Sequence, residues 1–62
     1  MAKYINTKGE TLETSGTTYT MISASGDIQR TADISNWCSD AEQWIDNDIK
    51  SGFYAGFKKV QA

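Results

Sequence analysis

Histidine and proline are both absent from this 62-residue chain, and cysteine occurs once, as Cys38. Without histidine the chain lacks the commonest general base and the commonest zinc ligand. A single cysteine can complete neither an all-protein zinc site nor an internal disulfide. It fits a reducing, intracellular setting. With no proline, Gly, Ser and Asn must make the turns. No apolar run approaches the roughly 18 residues of a membrane span. The opening "MAKYINTKGE" has no apolar signal-peptide core, so a cytoplasmic location is expected. Phosphate-binding glycine loops and nucleophile elbows are missing too. "DNDIKSG" departs from a calcium loop at Lys50 and Ser51. The expectation is a protein that is not an enzyme and needs no metal or cofactor.

What is present is the material of one small domain, residues 1–62. The chain is 39% hydrophobic and 23% charged, with a mean hydropathy of −0.53. A chain this short buries only about 60% of its unfolded surface. Its seven aromatics therefore matter, since each can bury on the order of 150–250 Å². The net charge of −2 hides an asymmetry. Residues 1–32 balance Lys3, Lys8 and Arg30 against Glu10, Glu13 and Asp27. Residues 33–48 hold Asp33, Asp40, Glu42, Asp46 and Asp48 with no base, a net of −5. Residues 49–62 hold Lys50, Lys58 and Lys59 with no acid, a net of +3.

The first half reads as strands. "KYINT", "ETLET", "TTYTMISA" and "DIQRTAD" are rich in Thr, Tyr and Ile and are punctuated at Gly9, Gly16 and Gly26. The clearest hairpin pairs 17–24 with 27–32. The polar stretch 8–16 is expected to be mobile. The second half reads as helix over 33–51. Ile34, Trp37, Ala41, Trp44, Ile45 and Ile49 share one helical face. Asp33 fits an N-cap, and Ser39 with Glu42 has capping-box spacing. One continuous helix and two helices broken near residue 39 both satisfy the pattern. Gly52 is a natural stop. Asp48 falls in the apolar arc and must reach the rim or meet a donor. Phe53, Ala55 and Phe57 alternate as in a closing strand. The fold class is thus α+β: a small antiparallel sheet of three to five strands, packed by one or two helices, with a C-terminal strand.

"YTMISASGDIQRTADISNWC", then "WIDNDIKSG" and "GFKK", resembles a small module attached to phage and intron-encoded homing nucleases. That family runs strand, Gly turn, strand, a helix start here written "DISNWC", a second helix ending in Gly, and an aromatic-Gly-aromatic-Lys finish. The resemblance covers about two thirds of the chain. It implies a helix-turn-helix that binds DNA beside a small sheet, in a phage or mobile-element setting.

Two surfaces follow from the residues. Asp40, Glu42 and Asp46 form an acidic helix face, and Trp44 or Tyr54 can anchor a partner beside it. The expected partner is a protein with a basic surface, which the chain would meet as an inhibitor or adaptor. Arg30, Lys50, Lys58 and Lys59 are the groups that would contact phosphate in a DNA-binding alternative. The helix that would read bases carries Asp46, Asn47 and Asp48, and its two carboxylates would repel phosphate, so protein docking ranks first. A structural or oligomerising subunit is a third reading. Trp37 and Trp44 are expected to serve mainly as core, with one of them free to act as an anchor. Cys38 is expected to be a small buried apolar residue.

Overall fold

Alternation along each polar-apolar run places one set of side chains inward, and five such runs pair into one antiparallel sheet. The computed structural model describes residues 1–61. Its strands are β1 (Ala2–Ile5), β2 (Thr11–Ser15), β3 (Thr18–Ile22), β4 (Ile28–Asp33) and β5 (Lys58–Gln61). They lie in the order β4-β3-β2-β1-β5. One helix, α1 (Ala41–Ser51), lies between β4 and β5 in sequence and covers one sheet face. The α+β class and the C-terminal strand agree with the sequence expectation.

Inward positions of the strands supply Ala2, Tyr4, Leu12, Thr14 and Tyr19, and α1 supplies Ala41 and Ile45. Tyr4, Leu12 and Ile45 are wholly buried and form the centre of this core. Among the described residues Thr14 is the one buried polar side chain of this core, and its Oγ1 accepts from the Ala2 N–H at 3.0 Å. On the opposite face Lys3, Glu13, Thr20 and Thr31 form one cross-strand row.

The hairpins explain the register. Ser15 pairs with Thr18, which leaves Gly16 and Thr17 as a two-residue loop, with Gly16 at φ 59°. That left-handed conformation suits glycine and matches the twist of the flanking strands. Asn6 organises the β1–β2 loop: its Oδ1 accepts from the N–H groups of Lys8 and Glu10. Residues 8–16, expected to be mobile, hold part of this hydrogen-bonded loop and the whole of β2. Residues 11–15 are the middle strand of the sheet, with a neighbour on each side. Thr11, Glu13 and Ser15 face outward while Leu12 and Thr14 point in.

The helix begins later than expected. Asp33 ends β4, and its Oδ1 accepts from the Ser35 N–H at 2.9 Å, capping a turn rather than a helix. The Ile34 carbonyl accepts from Trp37 and Cys38, which completes a single turn. Two bonds fix this connection against the β2–β3 loop: Ile34 N–H to Thr17 O at 2.9 Å and Ala41 N–H to Gly16 O at 2.8 Å. The N-cap is Asp40, whose Oδ1 accepts from the Glu42 N–H, one residue past the capping box read in the sequence. Neither helical version left open is present: the chain does break near residue 39, but residues 34–38 make a turn instead of a first helix, and α1 alone spans 41–51.

Gly52 ends the helix at φ 91°, as anticipated, and its N–H reaches the Asp48 and Ile49 carbonyls. The closing strand starts five residues after the anticipated Phe53. Residues 52–56 form turns, with Gly56 at φ 97°, and Phe57 and Tyr54 plug the core. Phe53 lies exposed.

Candidate functional site

Glu42 and Asp46 stand four residues apart, so they share one face of α1. That face overhangs the β1–β5 edge, where Tyr4 of β1 pairs with Lys59 of β5. Both side chains rise on the helix side. Lys59 Nζ lies 2.7 Å from Glu42 Oε2 and 3.0 Å from Asp46 Oδ2. The Tyr4 hydroxyl donates to Asp46 Oδ1 at 2.8 Å. The ammonium also sits 5.7 Å from the Tyr4 ring centroid, a cation–π arrangement.

These contacts set the charges. Burial works against the Asp46 charge, but the bonds from Tyr4 and Lys59 outweigh it and hold the carboxyl below its ordinary range. Burial, reinforced by Asp46, raises the Tyr4 phenol. Glu42 and then Asp46 raise the Lys59 ammonium. The pair expected to face a basic partner is thus already matched by the protein's own lysine. Asp40 is committed to the helix cap, although it remains exposed. Tyr54 is buried, with its ring edge-to-face against Phe53 at 4.9 Å and Phe57 at 5.8 Å. Burial, followed by the neighbouring Tyr19 hydroxyl, pushes the Tyr54 phenol up to about 12. It is a core residue and presents no free anchor. Asp48 reaches the rim, half-buried, and burial raises its carboxyl.

The cations of the DNA alternative are dispersed. Arg30 belongs to β4 and Lys58 and Lys59 to β5, at opposite edges of the sheet. Four strand spacings separate those edges, roughly 19 Å. Lys59 is occupied by two carboxylates, and Lys50 lies in the last turn of α1. The strand aromatics Tyr4 and Tyr19 are buried, so they offer no platform for stacked bases.

Concave aromatic surface lies instead at the β4 edge. Trp37, from the turn before α1, and Trp44, from α1, flank a groove of about 450 Å³ floored by Tyr19, Ala32 and Ile34. Trp44 is half-buried against the core, whereas Trp37 is 69% exposed. Arg30 and Asp33 bring opposite charges to the groove. The Arg30 guanidinium lies 6.0 Å from the Tyr19 ring centroid. Among the described residues the ion pairs are those of Lys59, so no carboxylate holds Arg30. Asp33 differs: its Oδ1 accepts from Ser35 N–H and Thr17 Oγ1, and those bonds, the Ser35 backbone first, lower its pKa. The Trp37–Arg30 juxtaposition was not visible in the sequence. The available signal was "DISN", whose Asp, Ser and Asn favour a turn over a helix interior and so free Trp37 from the helical face.

Among the described residues no cluster of metal-binding side chains occurs, and no helix is long and apolar enough to cross a membrane. Compared with family models, curated proteins and solved structures, the chain matches none of them.

Proposed function

We propose that this chain is a non-enzymatic docking protein whose partner is another protein, seated in the tryptophan groove. One observation carries the reading: a tryptophan left 69% exposed on the rim of a concave aromatic surface. Tryptophan is the residue most enriched among interface hot spots, where truncation costs about 2 kcal/mol or more. Its rigid indole brings a large contact area at little entropic cost. Trp44, held by the core, gives the groove a fixed wall. An inhibitor or adaptor role suits a domain of this size, and a phage or mobile-element setting rests on the sequence resemblance alone.

The site differs from the acidic helix face expected at first. A partner's lysine would have to displace Lys59 to reach Glu42 and Asp46. The test is a comparison of variants in a partner-capture experiment. Trp37→Ala removes an exposed side chain and is expected to keep the fold while abolishing capture. The double variant Glu42→Gln/Asp46→Asn is expected to retain capture. The reverse pattern returns the docking surface to the helix. Retention of duplex DNA at low salt that falls steeply as salt rises would replace the protein partner with nucleic acid.

A further inference from the structure

We infer that the groove takes a peptide segment in which an apolar side chain is followed closely by a carboxylate, the carboxylate binding Arg30. This rests on the docking reading above and names the partner's chemistry. Arg30 is exposed, lines the groove and has no ion pair among the described residues. The guanidinium carbon lies 6.0 Å from the centroid of the buried Tyr19 ring, and among the described residues no carboxylate pairs with its N–H donors. An arginine so placed matches a carboxylate, with two parallel N–H···O bonds available. The groove's own acid, Asp33, is turned to Ser35 and Thr17 through Oδ1 and makes no ion pair with Arg30 among the described residues.

Backbone geometry supports a side-chain mode of recognition. Met21 pairs with Arg30 but Ile22 pairs with Ile28, so Gln29 is the extra residue of a bulge. Bulges re-aim the adjacent side chain and blunt an edge strand against strand addition. This one immediately precedes Arg30. The straight part of the β4 edge is thereby short, and the occupant is held by its side chains. The apolar residue enters between Trp37 and Trp44 over Ile34, and the carboxylate reaches back to Arg30.

The test uses seven-residue, terminally blocked peptides carrying leucine followed two positions later by aspartate, asparagine or lysine. Binding is followed by the indole N–H signals of Trp37 and Trp44 and by the guanidinium Nε–H of the chain's only arginine. The aspartate peptide is expected to move all three signals, and the asparagine peptide to bind about fivefold more weakly. The lysine peptide is expected to bind more weakly still. Arg30→Gln should equalise the aspartate and asparagine peptides without loss of the indole shifts. Equal binding of those two peptides to the unaltered protein overturns the arginine–carboxylate assignment and leaves the groove reading standing. Preference for lysine also overturns it and restores a basic partner. No indole shift with any peptide overturns both readings.

Discussion

Replacing Tyr4 by Phe deletes one hydroxyl from the junction of β1, α1 and β5. Tyr4 is wholly buried, and its hydroxyl donates to Asp46 Oδ1 at 2.8 Å. A hydrogen bond to a charged group contributes about 1.5–3 kcal/mol. Here the acceptor is not abandoned: Asp46 keeps Lys59 at 3.0 Å, and its side chain is 39% exposed. The loss should therefore sit at the low end, about 1.5 kcal/mol. For a domain of this size that is about 6–12 °C in Tm. Titration adds a second, independent signature. Burial, then Asp46, keeps the folded phenol protonated above its ordinary value. The unfolded phenol ionises near pH 10. Below that pH the contribution is fully present, and it is lost as pH rises towards the folded value. At pH 11 the unfolded state has gained about 1.4 kcal/mol from this one group. Tyr4→Phe does not have that group, so the gap between the two proteins at pH 7 should vanish near pH 11. Urea unfolding at both pH values, followed by tryptophan fluorescence, measures it. Equal stabilities at pH 7, or a gap unchanged at pH 11, would refute the reasoning.

Ile45→Ala removes a wholly buried side chain from the centre of the core. It should cost about 2–5 kcal/mol, comparable to the stability of a domain this small, and calorimetry should show the cooperative transition weakened or gone. Asp48→Asn should stabilise at pH 7 by up to about 1 kcal/mol, because burial raises that carboxyl. The gain should disappear by pH 3 in denaturant titrations, where the aspartate is neutral whether folded or unfolded. Lys59→Gln uncovers Glu42 and Asp46. Titration with a tetralysine peptide should then show tighter, salt-sensitive binding than to the unaltered protein, and equal binding would mean that the acids were never masked.

Local signals were legible and non-local ones were not. Gly9, Gly16 and Gly26 marked the hairpins, and all three adopt positive φ. Gly52 marked the helix end. The 33–51 pattern misled because Ile34 and Trp37 keep a helical spacing while belonging to a turn. That turn is pinned at its two ends, where Ile34 N–H donates to Thr17 O and Ala41 N–H to Gly16 O, both far away in sequence. β2 read as mobile because its inward side chains are few. Pairing on both sides, which depends on strands elsewhere in the chain, makes it central. The site followed the same rule. The Glu42–Asp46 face was visible from helical spacing, but its lysine comes from β5, more than a dozen residues on. Arg30 and Trp37 are close in sequence, yet their shared groove depends on Tyr19 beneath and Trp44 across from them.

Charge counted along a chain differs from charge presented by a surface. The stretch 33–48 has a net of −5 in sequence, yet each acid there meets a different fate. Asp33 caps a turn, Asp40 caps the helix, Glu42 and Asp46 share Lys59, and Asp48 is half-buried. Exposed ion pairs contribute little to stability on their own. This one still matters, because it ties the helix to the last strand through Tyr4 and removes the acidic face from the surface offered to a partner. Among the described residues Arg30 has no ion pair either, and it stands in the groove beside an exposed indole. A groove that offers an arginine with no ion pair among the described residues, beside an exposed indole, selects by both features at once. An apolar ligand alone leaves the guanidinium to water, and an acidic ligand alone leaves Trp37 exposed.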